Sequence, residues 1–378
     1  MANTSKTVNA KAVVNLTRQA LSSSSQDLIP PVGESTPITE ISNPLMQYNV
    51  LMNEFATGLI NVIGMTVLDT VTNFTNKLSK FKSTTSGLGI DVREIATGVV
   101  KGENFDFSAD GIAKMFKLYP QEYAECFHRM NRRRMFPSTF SEKELKLALN
   151  SWDDLSKFIN NITNTLYQSN YIEEYEDMML ILKSSFQYDG LKMHIIIDPN
   201  TESGAKELVN VIMDTADSFE FIDSSNSVYG IKNPTTNILP TCIKDDVTII
   251  VPYKVRNKMK LDVLLMAFNK DEVAFNVDTL TTVDDLGYIK DGESGSEKYY
   301  KVDALVCDKN YIRFYDDADN GINGNDLPTA RGYNRYLHIW QTLSTSPFVC
   351  ANLVVHEVQA GDIPAGYFDD LIPRTYES

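Results

Sequence analysis

The chain is poor in the residues that usually mark a catalytic, metal-binding or membrane protein. Its 378 residues include four cysteines, four histidines and two tryptophans. Cys126, Cys242, Cys307 and Cys350 stand far apart, with no C-x-x-C pair and no histidine at ligand spacing. Zinc-ribbon and thioredoxin-like readings are therefore excluded, and reduced core cysteines are expected. His128, His194, His338 and His356 are scattered, and none has a serine, cysteine or carboxylate companion at a catalytic spacing. A phosphate-binding G-x-x-x-x-G-K-[ST] loop and a G-x-S-x-G elbow are both missing, and Val92 stands where a dinucleotide loop opened by Gly87-Leu-Gly89 needs its third glycine. No catalytic, cofactor-binding or metal-ligating residue is expected. Nowhere do about eighteen uncharged apolar residues run together, and the opening segment through Leu28 lacks the apolar core of a signal peptide, so neither a membrane span nor secretion by that route is expected. Positive charge is in deficit too. With 35 Lys and Arg against 50 Asp and Glu the net charge is -15, whereas a general nucleic-acid binder needs a basic field to displace phosphate counterions. Any contact with DNA should be weak or local.

What is present is an ordinary globular composition, 43% hydrophobic with 18 Tyr and 18 Phe, enough for a sizeable core in two or three lobes. The densest helical signal lies between Ser141 and Ser185, which contains neither proline nor glycine. Ser141 with Glu144, and Ser151 with Asp154, set a hydroxyl three residues ahead of a carboxylate, the spacing that closes the first free amides of a helix. From Trp152 the apolar side chains fall at Trp152, Leu155, Phe158, Ile159, Ile162 and Leu166, a face that must be buried. The stripe loses phase at Gln168-Ser169-Asn170 and resumes as Tyr171, Ile172, Tyr175, Met178, Met179 and Leu182. Asn170 and Glu173 are spaced for a fresh cap, so a break or kink is expected there.

Residues 1–43 are rich in Ser, Thr and Asn, and up to Gln26 their only charged side chains are Lys6, Lys11 and Arg18. This predicts a basic arm that is poorly ordered, or ordered only against a neighbour. Asn43-Pro44 then reads as the cap and first position of a helix with Leu45, Tyr48, Met52, Phe55 and Leu59 on one side. From Lys80 the periodicity is weak for longer than a loop inside a compact domain allows, which predicts an extended, partly hairpin-like excursion. Its return limb, Glu122 to Phe140, carries Arg129, Arg132, Arg133 and Arg134. In isolation that cluster reads as a solvated face, because exposed charges contribute little. Further on, Leu191–Ile197, Val247–Val251, Ala304–Cys307 and Tyr311–Tyr315 read as strands, and Glu202–Asp217 and the run Leu261 to Phe268 as helices. Tyr333 to Val358 is β-rich, with Trp340 and Phe348 as anchors. The irregular interleaving favours α+β over a doubly wound sheet. Asp316-Asp-Ala-Asp-Asn-Gly321 has Ala318 and Leu327 where a calcium loop needs ligands, so a turn-rich surface loop with turns at Asn320-Gly321 and Asn323-Gly324 is expected instead.

Four stretches carry a resemblance: SWDDLSKFINNITNTLYQSNYIEEYEDMM from Ser151, LDVLLMAFN from Leu261, VCDKNYIRFYDD from Val306 and YLHIWQTLSTSPF from Tyr336, with a weaker likeness over Phe127 to Phe136. In content and order they resemble the major capsid proteins of phi-29-like small short-tailed double-stranded DNA phages, whose members have the Hong Kong 97-type capsid fold. The resemblance spans most of residues 80–356, and HIWQTLS is its most specific run. It implies an α+β fold with an N-terminal arm (1–43), an N-terminal helical segment (44–79), an extended E-loop (80–140), a first part of the P-domain containing a long spine helix (141–235), an A-domain (236–325), closing P-domain strands (326–360) and a C-terminal tail (361–378).

The same resemblance implies a structural, non-enzymatic protein of the virion capsid, assembled in the host bacterial cytoplasm without cofactor, metal or membrane. Copies would associate as hexamers and pentamers into an icosahedral or elongated head shell around phage double-stranded DNA, which they would contact weakly. Scaffolding protein, portal and head fibres would be further partners. Because the family's E-loop reaches over the adjacent subunit, Arg132, Arg133 and Arg134 would need a complementary surface there. Glu173, Glu174, Glu176 and Asp177, on the second leg of the spine, are the densest candidate for that inter-subunit interface. Two other classes stay open at this point: a shell of the same fold around protein cargo, and a soluble hydrolase whose site carries no motif.

Overall fold

The computed structural model describes residues 10–66, 74–84, 91–102, 118–258, 280–292, 295–317, 321–327 and 332–371. Four helices open the chain: α1 (Ala10–Ala20), α2 (Ser23–Gln26), α3 (Thr39–Gln47) and α4 (Asn49–Thr66). From residue 10 onward the expected loose arm is folded onto the body instead. Its apolar residues are few, but Val13 and Val14 of α1, with Leu21, Ile29 and Ile41, are buried against Met52, Phe55 and Leu59 of α4. The approach is close at Gly58, where a methyl group would stand 3.3 Å from Thr17 Cγ2. Arg18 Nε donates to the Ile29 carbonyl at 2.6 Å, Lys11 Nζ to that of Glu34, and Asn15 exchanges two 2.8 Å bonds with the Val32 backbone. Lys11 and Arg18 thus close their own segment, while Lys6 lies outside the described residues. Pro44 does not start a helix either. It lies inside α3, because the Ile41 and Ser42 amides already bond the Ile38 carbonyl, and Tyr48 is exposed.

After strands β1 (Lys82–Thr84), β2 (Asp91–Thr97), β3 (Tyr123–Arg129) and β4 (Arg132–Ser141) comes a short helix, α5 (Glu142–Ala148). Its Ser141–Glu144 capping box is formed as the spacing predicts. Ser151 then accepts from the Asp154 amide at 3.0 Å and opens α6 (Trp152–Tyr188). These 37 residues form one uninterrupted helix, about 55 Å long at 1.5 Å per residue. The expected break at Gln168-Ser169-Asn170 is absent. The phase change has a different cause: the helix leaves one core and enters another. Leu155, Ile159 and Leu166 pack with α1, α4 and the inner faces of two strands, whereas Met178, Met179, Leu182 and Phe186 belong to a second core.

The remaining elements are β5 (Lys192–Ile196), α7 (Glu202–Ser218), α8 (Val228–Lys232), β6 (Val247–Pro252), α9 (Tyr253–Lys258), β7 (Leu280–Val283), β8 (Tyr288–Asp291), β9 (Lys298–Asp308), β10 (Ile312–Asp316), β11 (Gly321–Leu327), β12 (Gly332–Thr345) and β13 (Ala351–Val358). They build two mixed sheets beside the β2–β3 hairpin. In the five-stranded sheet β12 is central, antiparallel to β4 on one side and to β10 and β11 on the other, with β1 parallel to β10. The six-stranded sheet runs β5-β13-β9-β6-β7, with β8 on β9. Every residue of β6 is buried, as expected of a sheet covered on both faces. Ile249, Ala304, Val306 and Val354 face α7, while Ile250, Leu305 and Leu353 face the second half of α6. The expected boundary between residues 235 and 236 falls between α7 and strands it packs against.

Three further expectations meet the structure differently. Asn323-Gly324 is not a turn but part of β11, paired in register with Tyr336 and Arg335. The expected helix over Leu261 to Phe268 lies outside the described residues. The C-terminal segment does not fade out at residue 361: Gly287, at φ +82°, leaves room for Tyr367, whose hydroxyl accepts the Tyr288 amide at 3.1 Å, and Leu371 is buried. The fold predicts that Leu155→Ala lowers unfolding free energy by about 2 to 5 kcal/mol in denaturant melts. Deleting residues 2–30 should uncover Met52, Phe55 and Leu59 and replace a cooperative melt by a broad one.

Candidate subunit interface

Where α6 crosses from one core to the other, neither covers it, and its inward side chains there are polar. Asn170, Glu174 and Asp177 are met by residues from four other segments. Arg132, the first residue of β4, donates from Nε to Asp177 Oδ2 at 2.8 Å and from Nη1 to Asn170 Oδ1 at 2.8 Å and Gln341 Oε1 at 2.7 Å. Gln341 Nε2 donates onward to Glu174 Oε2 at 2.7 Å and Asp316 Oδ1 at 2.6 Å. Glu174, fully buried, also accepts from Asn76 Nδ2 at 2.9 Å and Lys82 Nζ at 3.0 Å, and Lys82 reaches Asp316 Oδ2 at 2.8 Å. Burial pulls the Lys82 ammonium down, but Glu174 and Asp316 outweigh it and hold its pKa above the usual lysine value. A buried ion pair of this kind is tolerated because its lone pairs and protons are nearly all taken up.

A second cluster ties the β2–β3 hairpin to the body. His128 Nε2 lies 2.8 Å from Glu94 Oε2, and its Nδ1 lies 2.7 Å from Ser344 Oγ. Arg313 bonds Glu94 as well, and Ser346 Oγ donates to it at 3.0 Å. Burial raises the Glu94 carboxyl, yet His128, Arg313 and Ser346 together leave its pKa below the usual glutamate value. A serine, a histidine and a carboxylate in contact have the composition of a hydrolytic triad. However, His128 is buried, and Arg313 pairs with the carboxylate. The contact acts as a latch. At the other end of the hairpin Glu122 accepts from the Asn237 amide at 2.8 Å, and the Val99 amide donates to the Asn237 carbonyl at 2.9 Å.

Two of the residues expected at an interface with a neighbour, Arg132 and Glu174, are therefore interior and bonded within the chain, and Asp177 is drawn in with them. β4 alternates, so Arg132 turns toward α6 while Arg133 turns outward, where its guanidinium lies 6.0 Å from the Trp340 ring. Arg134, half-exposed, pairs with Glu173 at 3.6 Å and Asp177 at 3.4 Å. Glu176 is exposed and makes no ion pair among the described residues. Sequence reasoning matched the arginines to the right carboxylates but placed the pairing between subunits. It missed Asn76, Lys82, Asp316 and Gln341 altogether. One signal pointed to them: Gln341 lies in the HIWQTLS run, Asp316 in VCDKNYIRFYDD, and Asn170, Glu174 and Asp177 in the stretch from Ser151.

The hairpin's other face is exposed along both strands. Ile95 is 52%, Tyr123 67% and Phe127 51% exposed there, interleaved with the Arg93–Glu125 and Arg129–Asp91 ion pairs, and the Arg93 guanidinium lies 6.0 Å from the Phe127 ring. Three large apolar side chains exposed on one face of a hairpin mark a candidate interaction surface. Among the described residues no group of His, Cys, Asp or Glu is arranged to hold a metal ion, and no helix is long and apolar enough to cross a membrane. The four cysteines form no disulfide. Burial pushes the thiols of Cys242 and Cys307 up, and that of Cys350 to about 12.

Among solved structures the fold matches a capsid chain of Staphylococcus phage Andhra, with a TM-score of 0.61, 9% identity, and coverage of 77% of this chain and 86% of that one. A chain from a bacteriophage P68 structure of head fiber and inner core protein matches with a TM-score of 0.54, 12% identity, and coverage of 76% and 86%. These likenesses speak to architecture alone, and the architecture is the Hong Kong 97-type fold of phage capsid proteins. The model of the Phi29-like phage major capsid protein family matches residues 14–355, and the chain belongs to that family. Major capsid proteins of Bacillus phages PZA and B103 are 27% and 26% identical to it, each over 93% of this chain and over 73% and 74% of their own lengths. That of Streptococcus phage Cp-1 is 24% identical over 84% of this chain and 87% of its own. The chain is thus a structural subunit of the phage capsid.

The two clusters make separable predictions. Arg132→Ala strands Asp177 and Gln341 and should cost about 3 to 5 kcal/mol of stability, whereas Arg133→Ala should cost no more than about 0.5 kcal/mol in the same melts. Glu94 has a lowered folded-state pKa, so its contribution is complete above the ordinary glutamate value of 4.5 and is lost as pH falls through the lower folded value. Amide exchange in β2 and β3 should accelerate over that acidic window, and Glu94→Gln should remove this pH dependence.

Proposed function

We propose that copies of this chain form an icosahedral or elongated head shell around phage double-stranded DNA, and that the exposed apolar face of the β2–β3 hairpin carries the contact between neighbours. The single observation behind the contact is that face: Ile95, Tyr123 and Phe127 are uncovered while the opposite side of the hairpin is latched to the body through Glu94, His128 and Glu122. A strand pair held on one side and presenting large apolar side chains among ion pairs on the other is suited to bury against a second copy with little ordering cost. Weak contacts then add up, because closed symmetry repeats each one in every subunit. Arg133, Arg134, Glu173 and Glu176 stay at the surface and supply a polar rim to the same interface. Arg132 and Glu174 take no part.

In this reading the β2–β3 hairpin belongs to the E-loop, the five-stranded sheet with α6 is the P-domain, and the six-stranded sheet with α7 is the A-domain. Hexamers and pentamers form in the host bacterial cytoplasm, with scaffolding protein, portal and head fibres as further partners. A net charge of -15 suits a wall that holds DNA without gripping it. No catalytic step is needed for this role.

Electron microscopy of the purified protein should find closed particles, and particles from infected cells should contain DNA. Phe127→Glu should leave the melt of the free subunit within about 0.5 kcal/mol of the parent and abolish closed particles. Normal shells from that variant would remove the hairpin face from the interface.

A further inference from the structure

In the six-stranded sheet β5, β13 and β6 run parallel to one another, and a cleft of about 370 Å³ opens at their carboxyl ends. All of its lining residues are among the described ones. Asp198 and Asn200 follow β5, Asp362 follows β13, Lys254 lies in α9 directly after β6, and Lys301 and Asp303 come from β9 between β13 and β6. The crevice outside strand carboxyl ends is where open sheets covered by helices hold small ligands. β9 is bulged at this place. Ala304 pairs with Val354 and Val302 with Val355, which leaves Asp303 as an extra residue without a partner in the ladder and redirects its side chain. Asp303 is fully buried; its Oδ2 lies 2.5 Å from His356 Nδ1, and its Oδ1 has no hydrogen-bond partner. Burial raises its pKa, and His356 opposes the rise. A carboxylate set this deep with one oxygen unmet is costly, so packing alone does not account for it.

What Asp303 does there is fix an imidazole. An ionised carboxylate can only accept, so His356 Nδ1 carries the proton, and Nε2 presents its lone pair beside Asp198, 3.9 Å from Oδ1. Asn200 holds Asp198 in turn, donating to that Oδ1 from its backbone at 2.9 Å and from its side chain at 2.5 Å. The acceptors are thus in place before any ligand arrives. Four carboxylates, of Asp198, Asp303, Glu357 and Asp362, line the cleft against the two ammonium groups of Lys254 and Lys301, which disfavours an anion. A metal ion would need a third ligand, and no such group is arranged among the described residues. A cation that bonds through N–H fits: placed about 2.8 Å from Nε2, it lies within ion-pairing reach of the Asp198 carboxylate. We infer that the cleft binds a small free alkylammonium ion, which donates to His356 Nε2 and pairs with Asp198 while Asp303 positions the imidazole from behind. The site uses none of the hairpin residues and stands apart from the shell reading.

Calorimetric titration of the full-length free subunit with 1,4-diaminobutane, zinc chloride and inorganic phosphate tests this. The diamine should bind saturably, and more tightly than zinc or phosphate. Asp198→Asn, at a half-exposed position, should weaken the diamine about tenfold or more without moving the melting temperature. Asp303→Asn, which touches no ligand, should weaken it by a similar factor, and in protein labelled with nitrogen-15 at histidine it should convert His356 from the Nδ1–H to the Nε2–H tautomer. If Asp303→Asn does not fold, Asp198→Asn decides alone. No saturable heat from the diamine, tighter binding of zinc or phosphate, or an Asp198→Asn affinity equal to the parent's would each overturn the inference. Self-association of the subunit that the diamine disperses would assign the cleft to a lysine of a second copy, and would overturn it as a site for a free ligand.

Discussion

A helix long enough to serve two cores has to cross the seam between them, and the structure depends on how that crossing is made. At Asn170, Glu174 and Asp177 apolar packing gives way to a dense set of charged hydrogen bonds that draws in β1, β4, β10 and β12. Taking Glu174 and Lys82 out of water costs several kcal/mol per ion, and only near-complete pairing offsets this. Hydrogen bonds also have angular requirements that apolar contacts lack. The five-stranded sheet is therefore tied to one place along α6.

That solution consumes charges that would otherwise face outward. With Arg132, Glu174 and Asp177 committed inside, the surface we propose for neighbouring copies is the outer side of the β2–β3 hairpin, with Arg133, Arg134, Glu173 and Glu176 left at the surface. The hairpin is anchored at both ends, by Glu94 and His128 near its base and by Glu122 against Asn237, so its free face is presented in one orientation. Saturation is incomplete: Arg132 Nη2 and the guanidinium nitrogens of Arg335 are buried without a hydrogen-bond partner.

Much of the chain was legible before any coordinates. Caps and periodicity located α5, α6, α7, β6 and β10 because a cap hydroxyl, a carboxylate three residues on and an apolar stripe act over a few residues. The errors were of one kind. The phase slip near Asn170 was taken as a break, although the same slip results when an unbroken helix changes the core it packs on. The sparse apolar residues of the first segment suggested an unattached arm, although Val13, Val14 and Ile29 suffice once α4 offers a matching face. Asn323-Gly324 suggested a turn until β12 supplied a partner strand. In each case the deciding neighbour is remote in sequence.

Sequence by itself determined where α5, α6 and α7 begin, that the architecture is α+β, and, through four stretches in order, the family to which the chain belongs. Which charges are internal was decided only by tertiary structure. Arg132, Arg133 and Arg134 are equivalent in a linear reading, and the register of β4 on β12 separates them: Arg132 opposite Gln341 is turned inward and Arg133 opposite Trp340 outward. Side chains alternate strictly along a strand, so a slip of one residue would exchange those two roles. That register is set by the pairing of segments some two hundred residues apart, which no local pattern records.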